Sequence, residues 1–142
     1  MQNLNYGVIG NCSTAALISE KGAIEWLCFP EFDSPSVFAA ILDRQKGGHF
    51  GFKVTSDYKV TQSYVPHTNI LSTHFESEEG AFDVVDFMPC YPTSDGKDFY
   101  RPAEIYRYIR WAKGRPRMKV DYRPAPNYAR GKTIYNVTSQ YV

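Results

Sequence analysis

From Phe50 onward, apolar and aromatic residues recur at every second position. Tyr58, Val60, Gln62 and Tyr64 alternate with Lys59, Thr61 and Ser63, and Leu71, Thr73 and Phe75 share one face of the run 70–76. Val85 and Phe87 share a face of the run 81–87. A period of two belongs to strands that cover one face and wet the other. Ser77-Glu78-Glu79-Gly80 separates the last two runs and predicts a hairpin. Three further runs, 104–111, 117–122 and 133–141, continue the pattern. The first places Ile105, Ile109 and Trp111 on one face, and the second Met118, Val120 and Tyr122. Lys113-Gly114-Arg115-Pro116 predicts a hairpin joining these two. The proline-punctuated stretch 88–102 reads as a loop.

The first third is less regular. Apolar runs 14–18 and 23–29 flank Glu20-Lys21-Gly22, where Gly22 suits the positive φ of a tight turn, so a hairpin is predicted. In the second run Ile24, Trp26 and Cys28 are placed on one face and Glu25 on the other. Ser34 can cap a helix whose first residue is Pro35, with Phe38, Ile41 and Leu42 on one side and Gly47-Gly48 at its end. Turns at short intervals with a single short helix predict a mainly β protein, an antiparallel β-sandwich. Residues 1–142 are expected to form a single N-terminal domain or part of one. The strand pattern runs on to Val142 with no polar tail, which suggests a piece of a longer protein. An incomplete sandwich would expose sheet edges, and a homodimer through those edges is expected.

Charge and cysteine content narrow the class. Sixteen basic residues balance fifteen acidic ones, so no basic field for nucleic acid exists. Eleven tyrosines and nine phenylalanines suit half-buried strand faces and also allow a surface that stacks on sugars. Three cysteines at scattered positions give neither a zinc pattern nor a disulfide framework. They fit buried thiols in a cytoplasmic protein. The N-terminus lacks the charged start and apolar core of a signal peptide, and no apolar run is long enough to cross a membrane.

Candidate chemistry concentrates in the opening stretch 10–42. Trp26, Phe29, Pro30, Phe32 and Asp33 lie close together there, with Glu25 and Glu31 among them. A glycosidase needs two carboxylates flanking the scissile bond. Asp83 and Asp86, three apart on a strand, point to opposite faces and cannot form that pair. Asp33, just before Ser34-Pro35, fits a turn or cap acceptor better than a catalytic group. His49, His67 and His74 show no metal-ligand spacing, and Ser13 and Ser19 lack a nucleophile elbow. The GVIG at Gly7 to Gly10 is not a dinucleotide fingerprint. No catalytic residue, metal or cofactor is therefore assigned.

Three tracts carry a family resemblance. They are IGNCSTAALISEKGAIEWLCFPEFDSPSVFAAILD over 9–43, YVPHTNILSTHFESEEGAFDVVDFMP over 64–89, and EIYRYIRWAKGRPRMKVDYRPAPNYAR over 104–130. In this order they resemble the N-terminal part of glycoside hydrolase family 15, the glucoamylase and trehalase-like group. Two departures stand out: Glu31 occupies a position where the family commonly has a basic residue, and 126–130 lacks the family's Asp and Gly. The resemblance implies a β-sandwich that packs on a catalytic (α/α)6 domain of the same protein. That domain carries the two glutamates of an inverting hydrolysis of α-glucan or trehalose. Trp26, Phe29, Pro30, Phe32 and Asp33 then become structural residues, some facing the catalytic domain. Two other functions are a stand-alone carbohydrate-binding module for α-glucans and a small hydrolase using Glu31 or Asp33.

Overall fold

The computed structural model describes residues 4–55, 57–134, 136 and 138. Its strands are β1 (Tyr6–Gly10), β2 (Ala15–Ser19), β3 (Ile24–Cys28), β4 (Ser36–Phe38), β5 (His49–Lys53) and β6 (Lys59–Tyr64). They continue with β7 (Leu71–Glu76), β8 (Gly80–Phe87), β9 (Tyr91–Pro92), β10 (Phe99–Tyr100), β11 (Tyr106–Gly114) and β12 (Lys119–Arg123), followed by one turn of helix, α1 (Pro126–Ala129). The first sheet runs β1-β2-β3-β5-β12, with β4 also on β3, and the second runs β11-β8-β7-β6. Every pairing is antiparallel, as the alternating pattern predicts.

The two sheets meet face to face. Ile9, Ile18, Ile24 and Leu27 from the first sheet share a buried cluster with Leu71 and Met88 from the second. Phe75, Phe82 and Val84 form a second cluster, covered by Phe52, Tyr58 and Met118. Phe75 and Phe82 stack in parallel, 4.6 Å apart. On β7 the expected inward set, Leu71, Thr73 and Phe75, is buried. On β8 the inward set is Phe82, Val84 and Asp86, so Val85 and Phe87 share the outer face.

Several local expectations are corrected. The segment 34–42 is not a helix. Ser36–Phe38 instead forms β4 against β3, with Leu27 opposite Phe38 and Cys28 opposite Ser36. Lateral bonds continue beyond it, from Ala39 N–H to Gly47 O (2.7 Å) and Ala40 N–H to Gly48 O (3.2 Å). Satisfying these backbone groups across the sheet outweighs a capping signal of modest strength. Ser34 Oγ does accept a backbone N–H, that of Glu31 (3.1 Å), but within a turn. Among the described residues the helix assigned is α1, where Asn127 and Tyr128 have positive φ of 53° and 56°.

Glu25 bulges out of β3, because Leu17 faces Trp26 while Ile18 faces Ile24. The extra residue reverses the alternation. Ile24 and Leu27 therefore both enter the core, and Trp26 turns to the outer face. Nor do 104–111 and 117–122 form a hairpin. β11 pairs with β8 and β12 with β5, so residues 115–118 cross from one sheet to the other. Gly114 (φ +65°) makes the exit, where a Cβ would lie 2.3 Å from Glu79 O. The loop 88–102 contains the small β9–β10 hairpin. Of the strand expected at 133–141, the described residues 133, 134, 136 and 138 are not in strand conformation. The rest of it lies outside the described residues.

Candidate functional site

Asn11 organises one end of the sandwich. Buried to 3% exposure, its Oδ1 accepts the N–H groups of Ser13 and Thr14, both at 3.1 Å. Its Nδ2 donates to Pro102 O at 3.2 Å, tying the β1–β2 loop to the approach to β11. Thr14 Oγ1 donates to Cys28 O (2.5 Å), Phe32 N–H to Ser13 O (3.0 Å) and Asn69 Nδ2 to Gly10 O (2.6 Å). Four loops are thereby fastened to one another. The sequence marks Asn11 only as part of an N-x-S triplet; its bracing role depends on partners as far away as Pro102.

The five residues singled out from sequence do not form one site. Phe29 leans on the core cluster and precedes a cis peptide to Pro30. Pro30 and Asp33 are exposed, and Phe32 is 62% exposed on the same loop. Trp26 lies apart, on the outer face of the first sheet. Its ring centroid is 6.2 Å from that of Tyr128, and Tyr128 N–H donates to Ser36 Oγ (3.0 Å). Phe29, Pro30, Phe32 and Asp33 therefore share an end of the domain, while Trp26 packs under α1.

The carboxylates that face the sheets, Asp83, Asp86 and Asp121, are matched to cations. Asp86 is fully buried and receives Arg107 Nε at 2.7 Å and Nη2 at 3.0 Å. Arg107 also donates to Gly22 O (2.5 Å) and to Phe50 O. Its guanidinium lies over the rings of Phe50 and Phe52, at 4.8 and 5.1 Å. Burial pushes the Asp86 carboxyl above its ordinary pKa, and Arg107 opposes that push. On the opposite face Asp83 meets His74 Nδ1 (2.6 Å) and Arg110 Nη2 (2.8 Å). Asp121 meets Arg123 Nε (2.8 Å), Lys53 Nζ (3.1 Å) and His49 Nε2 (3.1 Å). Hydrogen bonding from Arg123, with lesser help from Lys53 and His49, holds Asp121 well below the carboxylate range.

Asp83, Asp86 and Asp121 are each tied to at least one cation by short hydrogen bonds, an arrangement that suits bracing. Glu31 and Asp33 stand exposed on the loop after Pro30. Among the described residues no three or more His, Cys, Asp or Glu side chains are placed to hold a metal ion. No helix there is long and apolar enough to cross a membrane.

A cleft of about 370 Å³ between β1 and β6 is lined by Tyr6, Tyr64, Gln62, Glu20 and Asn5, residue types that bind sugars elsewhere. Their polar atoms are already engaged. Gln62 Nε2 donates to Ser19 O and Thr73 Oγ1, Tyr64 Oη bonds both N–H and C=O of Val8, and Asn5 donates to Glu20.

Sequence relatives place this braced arrangement among known proteins. A 132-residue match to the trehalase of Thermoplasma volcanium is 36% identical and covers 91% of this chain but 20% of the relative. Trehalase 1 of Sulfolobus acidocaldarius is 51% identical over 85 residues, 58% of this chain and 14% of the relative. The trehalase of Mycolicibacterium smegmatis is 40% identical over 95 residues, 64% of this chain and 14% of its own length. The chain thus spans a fifth or less of these curated relatives. No solved structure matches it. The family model described as trehalase-like, N-terminal, matches residues 5–140; the chain belongs to the trehalase-like N-terminal domain family.

Proposed function

We propose that this chain is the non-catalytic N-terminal β domain of a trehalase-like α-glucosidase of glycoside hydrolase family 15. In this reading it packs on a catalytic (α/α)6 domain of the same protein and supports it in the cytoplasm. The observation that carries the reading is coverage: the chain matches 20% or less of each trehalase compared above. Ion pairing of Asp83, Asp86 and Asp121 supports it, since these carboxylates brace the fold. The end of the sandwich fastened by Asn11 is the surface offered to the catalytic domain. It bears Phe32, and the β9–β10 hairpin adds exposed Tyr91, Phe99 and Tyr100. Exposed aromatic rings of this kind are enriched where proteins meet. Trehalose is the preferred substrate of the parent protein because the relatives above are named trehalases.

The test is a chimaera in which this chain replaces the matching part of the Thermoplasma volcanium trehalase. The chimaera is expected to release glucose from trehalose, and this chain alone is expected to release none. Glucose release by the purified chain would overturn the proposal. The same exposed rings favour a second reading, a carbohydrate-binding module. Calorimetric titration with maltooligosaccharides separates the two: a flat titration supports the scaffold, and saturable heat supports the module.

A further inference from the structure

The core-facing side of the sandwich is only partly covered along β11 and β12. In β11, Ile109 lies opposite Val84 and Trp111 opposite Phe82; in β12, Val120 lies opposite Phe52 and Tyr122 opposite Phe50. Directly paired residues share a sheet face, so all four point to the side that carries the core. Yet Ile109 is 39% exposed, Trp111 67%, Val120 49% and Tyr122 44%. Each strand also ends its sheet, with a described partner on one side only.

Backbone direction singles out Ile109. Ser77 N–H donates to Gly80 O at the β7–β8 turn, and Arg115 N–H donates to Glu79 O at the far end of β11. Antiparallel ladders alternate from such points. Even-numbered residues of β8 therefore bond to β7 and odd-numbered ones to β11. Tyr106, Tyr108 and Arg110 then bond back to β8, while the N–H and C=O of Arg107, Ile109 and Trp111 turn to the free edge. Between Tyr106 and Trp111 this edge carries no proline or bulge; its two arginines are each tied to a carboxylate of β8, Arg107 to Asp86 and Arg110 to Asp83.

The two edges differ in how they would meet themselves. A two-fold axis at Ile109 sets Ile109 against the partner's Ile109, Tyr108 against the partner's Arg110, and Arg107 against the partner's Trp111. No like charges face one another, and the exposed Arg110 guanidinium meets the partner's Tyr108 ring, while Arg107 stays on Asp86 in its own core. The same operation on β12, centred on Asp121, sets Lys119 against the partner's Arg123 and Asp121 against itself, which is repulsive. We propose that two copies of this chain pair antiparallel through β11 about Ile109. The pairing joins their four-stranded sheets into one continuous sheet and buries Ile109 and Trp111.

Sedimentation equilibrium of the chain across the micromolar range tests this, with circular dichroism and thermal melting to confirm folding. Wild type is expected to dimerise. Ile109→Lys, which sets two ammonium groups against each other, is expected to weaken the dimer by at least about tenfold. Tyr122→Lys, on the other edge, is expected to leave it unchanged. Should Ile109→Lys fail to fold, Trp111→Ser gives the same readout from a more exposed position. A wild type that stays monomeric overturns the proposal. So does a dimer that survives the β11 substitutions, or one lost through Tyr122→Lys instead.

Discussion

Along the β1/β6 side of the sandwich several side chains close the gap between the sheets, whereas along the β11/β12 side Arg107 does most of that work. On the first side Tyr64 Oη accepts from Val8 N–H (2.7 Å) and donates to Val8 O (2.9 Å), occupying the free edge of β1. Gln62 bonds Ser19 O from the facing sheet (2.9 Å). Leu71 packs so closely on Gly7 that a Cβ there would lie 2.5 Å from it. On the other side Arg107 reaches across to Gly22 O and Phe50 O, with Phe52 packed on Phe75 and Phe82, beside four exposed core-facing residues. An edge satisfied by side chains is finished, and an edge with free backbone groups and bare apolar residues is prepared for a partner.

The comparison can be broken most severely at Arg107. Arg107→Ala leaves Asp86 buried without its cation and should cost about 3–5 kcal/mol, read as a lower urea midpoint. Domains of this kind are stable by only about 5–15 kcal/mol, so a large share of the stability would be lost. Arg107→Met combined with Asp86→Leu should recover part of the loss, because no unpaired charge remains.

The laced side should respond more gently, since its links are individually replaceable. Tyr64→Phe removes both bonds to Val8 at an exposed edge, for an expected loss of about 1 kcal/mol. Hydrogen exchange at the Val8 amide should accelerate in this variant while exchange in β8 is unchanged.

A smaller effect is expected at low pH. Burial pushes Asp83 upward, but hydrogen bonds from His74 and Arg110 outweigh it, leaving its pKa below the ordinary value. A depressed folded-state pKa gives stability that is present above the unfolded value of about 4 and lost as pH falls through the folded one. Asp83→Asn should therefore flatten the drop in melting temperature below pH ~4. Asp86, raised by burial, works in the opposite sense and does not drive that loss.

The least effect is expected on the open side. Trp111→Ser at 67% exposure should change the stability of the monomer by no more than about 0.5 kcal/mol. A loss as large as that from Tyr64→Phe would show that Trp111 already belongs to a core.

Much of this was legible because strand periodicity is local. The β2–β3 and β7–β8 hairpins and the inward face of β7 follow from residues adjacent in the chain. The opposite orientations of Asp83 and Asp86 also follow from their spacing. The candidate cluster in the opening stretch was legible only in part. Phe29, Pro30, Phe32 and Asp33 share a loop region, but one bulged residue, Glu25, turned Trp26 to the other face. No spacing rule anticipates a bulge whose cause lies in neighbouring strands. Ser34-Pro35 carries a real start signal for a helix, and β3 overrode it by offering hydrogen bonds to 36–38.

The sequence by itself determined the antiparallel β class, most strand positions and the family, because each rests on short-range pattern and identity. Only the tertiary structure decided which strands are neighbours. It separated β11 from β12 although four residues join them, β11 laddering with β8 and β12 with β5 in the facing sheet. It also placed Arg107 over Asp86 inside the core and left Ile109 and Trp111 bare beside them. All three side chains share one face of one strand, so periodicity treats them alike. What distinguishes them is how far the opposite sheet extends, a long-range fact fixed by packing.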